Sequence, residues 1–262
     1  MATRYYRSKL SARVQKAYDI MADGICNFQS EIFLPQNISK NDISNIQWAI
    51  FYDYPEFFYL KRIYTYSNSS KIKIEYHISQ KGAVRILSKL ETIAEKLIKR
   101  CKGKSDLETA AFLHDYLAEH ISYDNNHPEQ SDKLVYQKDH NILGFAFRET
   151  VCEGFSKLYL YLLDRANIPA LVVVGNTTSP GTQVSHAWNM LGLKNGSQVN
   201  YYYVDVTWDS KGRGEKCIWD YFLLSEYDMF KKNHFPSKKY PLPKSESSFP
   251  LNRIGKCTMR AV

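Results

Sequence analysis

The chain has 262 residues, 44% hydrophobic and 24% charged, which suits one large domain or a core with an added subdomain and excludes a disordered chain. Its net charge is +8, but Lys and Arg are spread along the chain, densest at Lys96–Lys104 and Lys231–Lys244. With no helix-turn-helix, zinc-finger or RNA-recognition pattern beside them, they read as solvated basic faces, so no nucleic-acid partner is expected. No stretch is apolar enough to span a membrane. The five cysteines, Cys26, Cys101, Cys152, Cys217 and Cys257, are widely spaced and form neither a disulfide framework nor a zinc pattern. Free thiols and the absence of an apolar N-terminal region predict a cytoplasmic protein, or a secreted or surface-associated one if a leader has been removed.

Helical spacing of Val14, Ala17, Tyr18, Met21 and Ile25 predicts a helix over 8–27. A second is predicted over 39–53, capped by Ser39 or Asn41 and stopped before Pro55. Phe57–Tyr66 and Lys71–Ser79 alternate around Ser67-Asn68-Ser69-Ser70 and read as a hairpin. Long amphipathic helices follow at 82–101 and 106–122, then a polar loop at 123–140. Residues 152–166 are helical, with Phe155, Leu158, Tyr159, Leu162 and Leu163 on one face. Ala170–Val174 reads as a buried strand. Val184–Leu193 and Val199–Thr207 flank Asn195-Gly196 as a second hairpin, 225–232 as a short helix, and the Pro-, Ser- and Lys-rich tail after Phe235 as a surface segment. Helices and a hairpin first, then a helix followed by antiparallel strands, predict an α+β fold.

Asn-Gly is a strong two-residue turn signal. A turn centred on Asn195-Gly196 sets His186 opposite Asp205, and Trp188 opposite Tyr203. Opposed residues share a face with Cβ atoms roughly 4.5–5.5 Å apart, within reach for an imidazole and a carboxylate. A carboxylate on one ring nitrogen fixes the tautomer and stabilises the imidazolium formed when the ring takes a proton. Cys152 opens a predicted helix, where partial positive charge favours a thiolate and free N–H groups can hold an oxyanion. Gly154 lets another backbone come close. Taken singly, a cysteine at a helix start is more often a small buried hydrophobe, and a strand histidine a structural residue. A carboxylate amid Tyr203-Val204-Asp205-Val206 is harder to place without a partner. Together the three supply the nucleophile, base and orienting group for covalent acyl transfer.

The blocks Val151-Cys152-Glu153-Gly154-Phe155-Ser156, His186-Ala187-Trp188-Asn189 and Tyr203-Val204-Asp205-Val206-Thr207-Trp208-Asp209 resemble the bacterial transglutaminase-like superfamily, whose core is related to papain-like thiol proteases. Leu113–Asp124 resembles the helix preceding that core. Phe155-Ser156 stands where many relatives have Tyr-Ala. The resemblance implies a nucleophile-bearing helix on an antiparallel sheet, with Cys152 as nucleophile, His186 as base and acid, Asp205 as orienting group and Trp188 beside the histidine. Trp208 and Asn141 join Trp188 as substrate-binding or oxyanion candidates; Asn141 and His140 have loop structure as the plainer role. No metal or cofactor is implied. The expected organisation is an N-terminal helix and hairpin extension (1–104), a catalytic core (105–235) and a tail (236–262). The expected substrate is a peptide or protein amide, with hydrolysis preferred over cross-linking; a non-catalytic binding module on the same fold is the alternative.

Overall fold

The computed structural model describes residues 4–66, 71–126, 138–179 and 181–251. Two helices open it, α1 (Tyr5–Ser8) and α2 (Ala12–Cys26). They replace the single helix predicted over 8–27. Ser11 takes the extended backbone of an N-cap, with φ −65° and ψ 154°, and Asp53 caps the start of the separate α1 by accepting the N–H groups of Tyr6 and Arg7 at 3.1 and 2.8 Å. Strand β1 (Glu31–Phe33) leads to α3 (Lys40–Asp53), which Ser39 and Asp42 start with a reciprocal capping box at 3.0 and 2.9 Å. The predicted hairpin is β2 (Leu60–Thr65) and β3 (Lys71–Tyr76), with its turn outside the described residues; β1 joins it in a sheet of order β1-β3-β2. Helices α4 (Gln80–Arg100) and α5 (Asp106–His120) come next.

The site-bearing part follows. A short strand β4 (Ser122–Tyr123), a 3-10 turn (Lys138–His140), α6 (Gly144–Phe147) and β5 (Glu149–Thr150) lead into α7 (Cys152–Arg165). Then come β6 (Ala170–Ser179), β7 (Thr182–Asn195), β8 (Gln198–Val204), α8 (Val206–Asp209), β9 (Phe222–Leu224), α9 (Glu226–Lys231) and β10 (His234–Pro236). Five of the strands form an antiparallel sheet in the order β10-β6-β7-β8-β9. This is the α+β arrangement that the sequence predicts, with the helix that Cys152 opens packed on an antiparallel sheet. Every residue of α7 from Gly154 to Leu163 is buried, so the helix lies between the sheet on one side and other helices on the other. Asn189 ties it to the sheet, its side-chain N–H groups donating to the carbonyls of Ser156 and Leu171 at 3.0 and 3.3 Å.

Two expectations about the second hairpin fail. The first is the hairpin register. The turn is Gly196-Ser197, with Gly196 at φ +62° and Asn195 paired with Gln198. Gly at the first central position is the signature of a type II′ turn, and it prevails over the Asn-Gly reading. Pairing therefore shifts by two residues: Tyr203 lies opposite Met190, not Trp188, and Val204 opposite Asn189. The second is the end of the strand. It stops at Val204, and Asp205 is the N-cap of α8, not a mid-strand residue.

The tail is not a loose surface segment over its described part. β10 pairs with β6, and beyond it Ser237 N–H donates to the Val174 carbonyl at 2.8 Å and Phe249 N–H to that of Leu223 at 2.9 Å. Tyr240 packs its ring on Trp48 of α3 at 4.8 Å and on Tyr6 of α1 at 5.6 Å, while the Tyr6 hydroxyl donates to the Val172 carbonyl in β6. The N-terminal helices, α7 and the sheet thus share one hydrophobic core. No helix among the described residues is long and apolar enough to cross a membrane.

Candidate active site

Cys152 is the first residue of α7, half-buried and free. Its N-cap is Val151, which has no side chain able to cap, so the first-turn N–H groups are left to other partners. The backbone runs tightly here: a Cβ on Gly154 would lie 1.8 Å from Thr150 Oγ1 and 2.6 Å from the Asp139 carbonyl. This is the close approach expected at that glycine. Gly154→Ala should therefore push the helix start away from residues 139 and 150. We expect a loss of roughly 1–3 kcal/mol by overpacking, read as a lower urea midpoint, together with slower alkylation of Cys152.

His186 stands on β7 opposite Gly175 and is 7% exposed. Its Nε2 hydrogen donates to Asp205 Oδ2 at 2.6 Å. The contact survives the register error for a geometric reason. A shift of two residues keeps every side chain on its face, so Asp205 becomes a diagonal neighbour instead of a directly opposed one. The turn into α8 then brings its carboxylate across. Asp205 is fully buried and fully used: Oδ1 accepts the N–H groups of Thr207 and Trp208 at 2.9 and 3.2 Å. Oδ2 takes His186 and also His234 Nε2 at 2.9 Å.

With Nε2 on Asp205, Nδ1 is the nitrogen left to face the Cys152 thiol. Burial alone would lower the His186 pKa. The charge and hydrogen bond of Asp205 and then those of Cys152 overcome it and raise the ring to about 10. Burial alone would raise the Asp205 carboxyl, but the facing His186 and His234 rings hold it well below the ordinary carboxylate range. The arrangement is an imidazole held by a carboxylate and facing a thiol at a helix start.

The other expected residues sit less close to the chemistry. Trp188 is fully buried and stacks on the His186 ring at 5.7 Å and 27°, behind it rather than open to a ligand. Trp208 is half-buried, 5.7 Å from the same ring. Asn141 is buried, its Oδ1 accepting the Leu143 N–H at 2.8 Å within the loop, and it lines a pocket of about 40 Å³ with Phe57 and Phe58. His140 bonds Glu153 through Nδ1 at 2.9 Å. Glu153 also pairs with the buried Lys157 at 3.0 Å.

Residues that the sequence reading passed over complete the surroundings. Tyr123 of β4 lies close enough to Cys152 and Asp205 that, with burial as the main cause, its hydroxyl is pushed up to about 12. Tyr52 of α3 is raised by burial first, then by Glu153 and Cys152. A cleft of about 630 Å³ runs from Glu153 and His140 between Tyr52, Phe51 and Trp48 of α3 and Lys61 and Arg62 of β2. The N-terminal elements thus form a wall of the cleft beside the thiol. At its far end α8 is held by a second buried network: His114 of α5 bonds Asp209 at 3.1 Å and Asp115 at 2.9 Å, and Asp115 also accepts from Trp219 at 2.7 Å and Cys217 at 3.2 Å. Two donor sets, His186–Asp205–His234 and His114–Asp115–Cys217, each lie within 4.8 Å and carry groups a metal ion could use. In both, members bond each other at direct hydrogen-bond distances, so an ion would have to part them.

A profile of the transglutaminase-like superfamily matches residues 91–206. A search of curated proteins finds no match. Among solved structures, one of a TGase aligns at 15% identity over 68% of this chain and 50% of that one, with a TM-score of 0.38. The periplasmic domain of TgpA from Pseudomonas aeruginosa, bound to ethylmercury, aligns at 20% identity over 47% of this chain and 45% of that one, with a TM-score of 0.33. The chain spans half or less of each of these proteins.

Proposed function

We propose that this chain, whose residues 91–206 match the profile of the transglutaminase-like superfamily, is a cysteine enzyme acting on peptide or protein amides through a thioacyl intermediate. The observation that carries the reading is the His186 ring, bonded through Nε2 to the buried Asp205 and facing Cys152 with its other side. Cys152 attacks the amide carbonyl as a thiolate, and the tetrahedral oxyanion is met by first-turn N–H groups of α7. His186 gives its proton to the departing amine, and the thioester forms as the C–N bond breaks. Water, deprotonated by His186, then releases the acid and regenerates the thiol. The substrate segment lies in the aromatic and basic cleft between α3, β2 and Glu153. We favour water over an amine as acceptor, since bacterial members resembling this chain without animal-type accessory domains look more like hydrolases.

The test uses two readouts on the full chain. In the first, iodoacetamide at neutral pH should modify Cys152 faster than Cys26, which is exposed. Equal rates would leave only a non-catalytic binding module. In the second, the protein is incubated with casein and a labelled primary amine. Ammonia or new N-termini should exceed incorporated label; robust incorporation would replace hydrolysis with transamidation.

A further inference from the structure

His234 is 1% exposed and stands on β10, at the edge of the five-stranded sheet next to β6. Its Nδ1 is 2.9 Å from the Lys232 carbonyl and its Nε2 is 2.9 Å from Asp205 Oδ2. A carbonyl and a carboxylate both only accept. The carboxylate is the stronger acceptor of the two, so Nε2 meets it as a donor.

The pocket around the ring is built. Trp188 of β7, Trp208 of α8 and Tyr221 enclose it at ring-centroid distances of 5.1, 4.8 and 5.3 Å. The titratable and charged groups facing it are Asp205 from the N-cap of α8, His186 from β7 at 5.4 Å, Tyr221 before β9, and Lys232 after α9, whose Nζ lies 4.5 Å over the Tyr221 ring. Thr177 is its neighbour on β6. Beyond His186 lies Cys152, and beyond Asp205 lies Asp209. The approach of β10 is itself enforced: a Cβ on Gly175 would lie 2.2 Å from the Phe235 carbonyl oxygen.

We propose that His234 is a positioning residue whose Nε2–H, donated to Asp205 Oδ2, holds that carboxylate in place for His186. The inference rests on the reading of Cys152, His186 and Asp205 given above. Without that donor the carboxylate keeps only the contacts to His186 and to the N–H groups of Thr207 and Trp208, and it is free to turn away from the ring it orients.

The test is the iodoacetamide alkylation rate of Cys152 in the full chain, in wild type, His234→Gln and His234→Ala, alongside imidazole NMR of the ¹⁵N-histidine-labelled wild type. Gln at 234 still offers Asp205 an N–H donor, so it should keep most of the rate, whereas Ala should lower it roughly tenfold, the size expected for losing one charge-assisted hydrogen bond. The NMR should find a proton on His234 Nε2. An Ala variant that reacts at the wild-type rate, a Gln variant that loses as much rate as Ala, or a His234 Nε2 without a proton overturns the inference. If neither variant folds, the wild-type NMR decides it. If Cys152 in wild type reacts no faster than Cys26, the thiol-enzyme reading fails, and the NMR still decides whether His234 donates to Asp205.

Discussion

Cys152→Ala should lower amide turnover by a factor on the order of 10⁴–10⁶, the range over which losing a nucleophile removes covalent catalysis and leaves binding and oxyanion stabilisation behind. The fold should hardly notice. Cys152 is only half-buried, and Ser156 Oγ bonds its backbone carbonyl at 2.8 Å, not its side chain, so the urea midpoint should move by no more than about 1 kcal/mol equivalent. His186→Ala should cost a similar factor, and the double variant should be no worse than either single one, because nucleophile and base act as a unit. Ammonia or peptide release from casein measures all three. A Cys152→Ala protein that keeps turnover within tenfold of wild type rules out the thioacyl route. So does a double variant whose losses multiply.

The candidate site was legible in the sequence where residue type and order carry it, and illegible where tertiary packing does. Cys152, His186 and Asp205 stand in blocks whose composition is hard to explain otherwise, and the structure brings them together. The route by which the hairpin predicted their meeting was partly wrong. Asn195-Gly196 looked like the turn, yet Gly196-Ser197 makes it. Only the parity of strand geometry kept His186 and Asp205 on one face. Asp205 looked like a mid-strand residue because an N-cap aspartate at a strand end leaves the same local pattern as a buried one. His234 had no signal. It follows a basic helix end and precedes a Pro-rich stretch that reads as tail, and only the pairing of β10 with β6 carries it to Asp205. His114 was seen as part of a helix and Asp209 as part of a motif; their contact at 3.1 Å spans 95 residues of chain, beyond any local rule. The N-terminal elements likewise read as an extension. Their aromatic rings are in fact a wall of the cleft, because Tyr6, Trp48 and Tyr52 pack into the core that carries α7 and β6.

Asp205→Asn should be nearly as damaging to turnover as loss of the nucleophile, by a factor on the order of 10⁴. The amide oxygen can still accept from Thr207 and Trp208, so the cap of α8 survives. The amide N–H group, however, then faces the Nε2 hydrogens of His186 and His234. His186 relieves the conflict by moving its proton to Nδ1, which presents the thiol with a donor instead of a base. Asp205→Ala should be worse for the fold, at about 3–5 kcal/mol, because it leaves two buried histidines and two capping N–H groups without their partner. Stability should show a pH signature of definite sign. The depressed Asp205 pKa contributes stability present above the ordinary carboxylate value of about 4 and lost as pH falls through its folded value. The His186 pKa, raised from 6.5 to about 10, contributes stability complete below 6.5 and lost as pH rises through about 10. Wild type should therefore exceed Asp205→Asn most between about pH 4 and 6.5, with the gap narrowing as pH climbs from about 6.5 through about 10. Urea unfolding of both proteins at three pH values across that range measures the gap. A gap that stays constant throughout would mean that the His186–Asp205 pair does not hold its charges in the folded protein, and the electrostatic account of the site would fall with it.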